Sequence, residues 1–314
     1  MSAPDEKRDH GGGLDAAMAR YGGSRDQWLD LSTGINPVPY PVGDIPADAW
    51  QRLPNEGAMD ALLHAARRFW NVPEEAAILA APGASALIAR LPDVMSGEVS
   101  IAQPTYNEWA AAFGDRAVTK FNTPLRVFVH PNNPTGSLMN GDPTRSDCTT
   151  IYDESFADDD LSVSHVRNTH SPKVVVVKSF GKFWGLAGLR LGFLIGQPRL
   201  IRRMNHALGP WPVSGPALTI ATRALNDTAW ADATRARLSR DAARLDALIL
   251  PKGAELVGGT GLFRTYALPE TAPQMHERLA QAQILTRIFP YSEAWIRFGL
   301  PGSEADWAKL EAAL

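Results

Sequence analysis

The sequence predicts an α/β protein, with a large domain on a mostly parallel central sheet and a smaller α+β terminal domain. Two observations predict it. Through the first two thirds, short apolar runs alternate with helical stretches, the order a parallel sheet with crossover helices requires. After Pro198 the texture changes to helix rich in Ala and Arg, then to strands around one further helix. The 314 residues are 45% hydrophobic and 21% charged, as in an ordinary globular protein.

Residues 59–70 carry Leu62, Leu63, Ala66, Phe69 and Trp70 at helical spacing, and the aromatics read as core. Residues 77–81 read as a strand, after which Pro82-Gly83 opens a helix through 85–91. Residues 99–102, 127–130, 149–152 and 174–177 are further strands, rich in β-branched side chains and apolar enough for burial on both faces. Helices follow at 199–208 and 216–250, strands at 254–257 and 262–267, a helix at 273–283 and a final strand near 295–298. The expected domains are an N-terminal arm (1–40) contributing to the small domain and active site, a large domain (41–208) and a small one (209–314). The boundary lies in helix near 205–215.

The net charge of −3 gives no reason to expect nucleic-acid binding. Cys148 is the sole cysteine, so neither an intramolecular disulfide nor a cysteine-based zinc site can form, and no metal is expected. The opening MSAPDEKRDHGGG has no apolar core of the kind a secretory signal needs. The longest apolar stretches, near 174–177 and 185–196, are short or interrupted by Arg190, well below a membrane span. A soluble cytoplasmic protein is expected.

Four local features occur in a fixed order. Pro82-Gly83-Ala84-Ser85 stands at a helix start, where free N–H groups and the helix dipole suit an anion, although Ser85 would equally serve as an N-cap. Pro131-Asn132-Asn133-Pro134-Thr135-Gly136 follows a strand, a plain loop or a ligand loop at the carboxyl end of a parallel sheet. Asp153, at another strand end, is costly to bury without a partner, and a protonated pyridine nitrogen would be one; a helix cap or surface acid is the alternative. Ser179-Phe180-Gly181-Lys182 precedes Gly185-Leu186-Ala187-Gly188-Leu189-Arg190-Leu191-Gly192. There a lysine could form a Schiff base and Ser179 and Arg190 could bind a phosphate, or the segment is a surface lysine before a Gly-rich turn.

Taken together, with Pro104-Thr105-Tyr106 between them, these motifs resemble the fold-type-I pyridoxal-phosphate enzymes of the aspartate-aminotransferase group, over nearly the whole chain. The resemblance implies pyridoxal 5'-phosphate as cofactor, held covalently by Lys182, which later moves the proton. It implies that Asp153 holds the pyridine nitrogen, Asn133 the phenolic oxygen, and that Tyr106 stacks on the ring. Ala84, Ser85, Ser179 and Arg190 would grip the cofactor phosphate, and Arg297 a substrate carboxylate. Two departures stand out: Phe156 and Leu53 occupy places where many relatives have tyrosine. The hold on the cofactor would then rest more on Ser179, Arg190 and the helix terminus.

His10-Gly11-Gly12, the run from Leu31 through Gly34 to Pro37, and the sequence around Lys182 are similar to the threonine-phosphate decarboxylases of cobalamin synthesis. That likeness implies decarboxylation of L-threonine O-3-phosphate to (R)-1-aminopropan-2-ol phosphate, with His10, Gly34, Arg287 and Arg297 binding substrate. Successive glycines beside His10 would offer backbone donors to the substrate phosphate. The neighbouring alternative is histidinol-phosphate aminotransferase, against which Phe156 and the His-Gly-Gly opening count. Regulators on this fold add a DNA-binding domain, for which about thirty residues before the Asn36-Pro37 turn are too few. A homodimer is implied by the resemblance. Decarboxylation and transamination would use Lys182, Asp153 and Asn133 alike, so the residues alone leave that choice open.

Overall fold

The computed structural model describes residues 10–120, 122–139, 144 and 147–314. Val38–Arg237 form one compact unit, and the described residues up to Pro37 group with Leu238–Leu314 in the other. The chain begins with α1 (Leu14–Tyr21) and β1 (Leu29–Asp30), then enters the larger unit through α2 (Ala47–Gln51) and α3 (Glu56–Phe69). There follow β2 (Ala77–Ala81), α4 (Ala84–Val94), β3 (Val99–Ile101), α5 (Glu108–Phe113), β4 (Ala117–Val118) and β5 (Leu125–Val129). Next come β6 (Thr149–Asp153), β7 (Val174–Ser179), α6 (Phe180–Phe183), β8 (Gly192–Gly196), α7 (Pro198–Leu208), α8 (Gly215–Asn226) and α9 (Thr228–Ile249).

The larger unit is organised on a seven-stranded sheet in the order β2-β8-β7-β6-β5-β3-β4. Neighbours from β7 to β4 pair in parallel, whereas β8 runs antiparallel to both β2 and β7. The carboxyl ends of six strands and the amino end of β8 therefore share one edge. Val174, Val175, Val176 and Val177 are all buried, as expected for a strand covered on both faces. On one face α4, α5 and α7 contribute Leu87, Leu91, Trp109 and Met204 to the core.

The structure adds short elements beyond those expected from the sequence, among them α1, α5, a strand at Arg287–Phe289 and a helix at Glu304–Ala313. Three further differences bear on how the larger unit is built. The strand β8 was not anticipated, because its glycines read as a motif rather than as a strand. The single helix expected over 216–250 is two, since Asp227 ends α8 and its carboxylate caps the next turn by accepting from the Trp230 N–H at 3.0 Å. The change of unit falls within α9, after Arg237, where the sequence placed it at 208/209. The reason is α8, whose buried face (Leu218, Ile220, Ala221, Leu225) packs against α3 and α2 of the larger unit.

In the smaller unit come β9 (Glu255–Thr260), β10 (Phe263–Ala267), α10 (Ala272–Gln281), β11 (Ile284–Leu285), β12 (Arg287–Phe289), β13 (Ser292–Gly299) and α11 (Glu304–Ala313). An antiparallel sheet runs β12-β13-β10-β9, and β1 pairs in parallel with β11. Leu14, Ala17 and Trp28 of the amino-terminal segment pack with Ala280 and Leu285, which is how that segment joins the carboxyl-terminal one.

A fully buried ion network ties β7 to the segment after β6. Lys178 Nζ lies 2.8 Å from Glu154 Oε2 and 3.0 Å from Asp158 Oδ1. Asp158 also accepts from Trp70 Nε1 at 3.0 Å, and Glu154 from Ser164 Oγ at 2.6 Å. Removing the cation would strand two carboxylates in the core. Lys178→Met is expected to lose about 3–5 kcal/mol of stability, measured by urea unfolding.

Candidate active site

The eight residues expected to bind a cofactor all belong to the larger unit and all stand at the shared strand edge. Asp153 is the last residue of β6 and Ser179 the last of β7, with Lys182 in the helical turn α6 directly after it. Asn133 follows β5, Tyr106 follows β3, and Ala84 and Ser85 open α4 after β2. Arg190 lies two residues before β8, whose direction brings it to the same edge.

Local hydrogen bonds explain how two of these loops hold their shape. Asn132 Nδ2 donates to Pro104 O at 3.0 Å and to Thr135 Oγ1 at 2.8 Å, while its Oδ1 accepts from Thr105 Oγ1 at 2.7 Å. The loop bearing Asn133 is thereby stapled to the loop bearing Tyr106.

Asp153 is buried, and burial pushes its carboxyl above the ordinary range. Hydrogen bonds and the Lys182 charge oppose that rise. Oδ1 accepts from the Ser155 N–H at 3.1 Å and the Ser155 hydroxyl at 2.5 Å, and Oδ2 from Trp109 Nε1 at 2.8 Å. Lys182 Nζ stands 5.5 Å from the centre of the Phe156 ring. Neither Trp109 nor Ser155 was singled out from the sequence. The only available signal was Trp109 standing one helical turn after Tyr106.

Gly83, not Ser85, is the N-cap of α4, at φ +90°, and Ser85 is exposed in the first turn. A Cβ on Gly83 would lie 2.7 Å from Arg190 Nη2, and one on Gly192 would lie 2.4 Å from the Ala84 nitrogen. Arg190 itself is held in the left-handed region at φ 53°, with Nη1 donating to Ala187 O at 3.1 Å. A strained, non-glycine residue beside a helix start with two obligatory glycines marks a built feature. The donor set is a guanidinium, amide N–H groups and a hydroxyl, which suits a phosphate. With an amine at Lys182 and a braced buried carboxylate at Asp153, these residues fit pyridoxal phosphate.

The smaller unit holds a concavity of about 500 Å³. His10, Gly12, Ser32, His276, Thr286 and Arg287 are among its lining residues. His10 and Arg287 are thus brought together, while Gly34 and Arg297 are not in the lining. Arg297 is the ladder partner of Arg287 across β12 and β13. It is buried, donates from Nη2 to Ser32 O at 2.6 Å, and is pushed down to about 10 by burial and by Arg287 alongside. The glycine donors expected beside His10 are only partly available, because the Gly12 N–H donates to Ser32 Oγ at 2.7 Å. His276, unremarked in the sequence, accompanies Arg287 in the pocket, with Nδ1 2.8 Å from Thr286 Oγ1.

The description aminotransferase class I and II matches residues 49–314. The chain belongs to that family. It is 38% identical to a threonine-phosphate decarboxylase of Sinorhizobium sp, covering 100% of this chain and 98% of the relative. A threonine-phosphate decarboxylase of Pseudomonas aeruginosa is 37% identical, over 98% and 97% of the two chains. Among solved structures, the histidinol-phosphate aminotransferase from Sinorhizobium meliloti in complex with pyridoxal-5'-phosphate superposes with a TM-score of 0.82. It is 18% identical and covers 100% of this chain and 98% of that one. The fold is the fold-type-I architecture of pyridoxal-phosphate enzymes.

Next to the site, His130 accepts from the Met139 N–H at Nδ1 (3.0 Å) and lies 2.9 Å from Val163 O at Nε2, a neutral arrangement. Burial lowers its affinity for protons, and burial with His130 nearby pushes His165 down to about 4. Unfolded, both return to the ordinary value, so the unfolded chain binds more protons between about pH 6.5 and 4. Stability should be level above about pH 6.5 and fall as pH drops toward 4. Urea midpoints across that range test this, and His165→Phe should flatten the slope.

Proposed function

We propose that this protein decarboxylates L-threonine O-3-phosphate to (R)-1-aminopropan-2-ol O-phosphate for cobalamin synthesis, using pyridoxal 5'-phosphate. The observation that carries the reading is the end-to-end similarity to two threonine-phosphate decarboxylases. It includes the arm whose His10 lines the Arg287 pocket. When bound, pyridoxal phosphate supplies an electron sink for the pair left by breaking a bond at the substrate's α-carbon.

Lys182 holds the cofactor through Nζ and, once free of it, carries the proton delivered to the substrate carbon. Asp153 keeps the ring nitrogen positive, which it can do only as a carboxylate. Asn133 donates to the phenolic oxygen, and Phe156, having no donor, leaves that task to it. Tyr106 stacks on the ring, while Ala84, Ser85, Ser179 and Arg190 hold the phosphate. His10 and Arg287 are assigned to the substrate's phosphate, Arg297 to its carboxylate, and Gly34 is kept among the substrate-binding residues. The same reading makes the protein a cytoplasmic homodimer. Trp50, Leu53 and Trp211, 67%, 66% and 57% exposed, are apolar surface that a second copy would cover.

Incubation of the cofactor-loaded protein with L-threonine O-3-phosphate should release CO2 and aminopropanol phosphate, and Lys182→Ala should abolish both. Arg287→Gln should raise KM for the phosphorylated substrate by roughly tenfold or more, the size of one lost charge-assisted hydrogen bond, with a smaller effect on kcat. Glutamate formed from histidinol phosphate and 2-oxoglutarate, without CO2 from the threonine ester, would overturn the assignment in favour of an aminotransferase.

A further inference from the structure

The proposed chemistry needs Asp153 as an anion in a place that opposes one. The side chain is 2% exposed and neighbours a core cluster that contains Val127, Val129, Ile151, Val177 and Trp109. An ionised carboxylate has about four lone-pair positions to satisfy. Ser155 fills two on Oδ1 and Trp109 one on Oδ2. One position is left, on the oxygen that Trp109 touches.

The two donors differ in kind. Ser155 is two residues away and its contacts are local, of the sort that an Asp ending any strand can make. Trp109 comes from α5, 44 residues upstream, and is itself fully buried. Its indole N–H is a donor and never an acceptor. Its donation at 2.8 Å is strongest to an ionised Oδ2, and a protonated Oδ2 pointing its hydrogen at Trp109 would set two donors face to face. The indole also has no proton to exchange near neutral pH, so it cannot compete for the one on the cofactor's ring nitrogen.

We propose that Trp109 is a positioning residue that fixes Asp153 as an ionised acceptor for the ring nitrogen of pyridoxal phosphate. The inference rests on the cofactor reading above and adds to it the group that maintains the charge. A tryptophan suits the task because its body fills the apolar core while one edge delivers a single directed donor. Lys182 acts on the same carboxylate by charge alone, which does not orient either oxygen.

The test uses the holoenzyme and compares wild type with Trp109→Phe. Two readouts apply: the dissociation constant for pyridoxal phosphate and the pH titration of the lysine-bound cofactor's absorbance. The phenylalanine variant should bind the cofactor roughly tenfold to a hundredfold more weakly, the size of one hydrogen bond to a charged group. Its ring nitrogen should lose its proton at lower pH than in wild type, and kcat should fall with KM for L-threonine O-3-phosphate nearly unchanged. A folded Trp109→Phe with wild-type affinity and titration would overturn the proposal. Trp109→His and Trp109→Met provide a second comparison in which both lose the indole packing. The proposal requires the donor-bearing histidine to hold the cofactor more tightly than methionine, and the reverse order contradicts it. Absence of any lysine-bound band in wild type would overturn the cofactor reading itself, an outcome distinct from an unaffected Trp109→Phe.

Discussion

Lys178 is wholly buried and held between Glu154 and Asp158, and the strand edge that carries the candidate site is built around that pairing. Glu154 is the residue after Asp153, and Lys178 is the residue before Ser179. The ion network therefore fixes the ends of β6 and β7 from beneath, directly beside Asp153 and Ser179. Its attraction is strong because the surroundings are dry, and for the same reason neither partner can be lost alone without a large penalty. Both carboxylates favour the ammonium form, which keeps the Lys178 amine protonated and unreactive. Four residues on, Lys182 is only half-buried in a single helical turn. Two lysines of one short segment thus stand in different surroundings.

Much of this was legible in the sequence because it is local. Runs of β-branched residues identified β5, β6 and β7, and the motifs that carry Asn133, Asp153, Ser179 and Lys182 sit at their ends, where the topology of a parallel sheet gathers them. Trp109 and Ser155 were not legible as partners of Asp153. Trp109 reaches that carboxylate through a fold-level approach between α5 and β6, and its spacing from Tyr106 was the one sequence signal for it. The strand β8 was obscured by its own glycines, of which Gly192 allows close approach to the start of α4. Ser85 illustrates the opposite case, where the sequence was compatible with an N-cap at that residue and the structure gives the place to Gly83.

In the smaller unit the sequence offered two arginines ten residues apart, and resemblance alone set Arg297 at a substrate carboxylate and Arg287 at a substrate phosphate. The ladder between β12 and β13 sets them side by side, and burial separates their roles. Arg297 is committed to Ser32 O and packs 5.2 Å from the centre of the Phe263 ring, while Arg287 lines the pocket with His10 and His276. Adjacent cations of this kind repel each other, which is visible in the lowered proton affinity of Arg297. An anion relieves that repulsion, so the arrangement favours a negatively charged ligand on physical grounds independent of family resemblance.

The central claim is that Lys182, and not the buried Lys178, is the lysine that takes the cofactor. Borohydride reduction of the holoenzyme, followed by proteolysis and peptide mass mapping, tests it directly. The account predicts the pyridoxyl mass on Lys182, with Lys178 unmodified. The adduct on Lys178, or on any lysine away from the edge formed by β6 and β7, would contradict it.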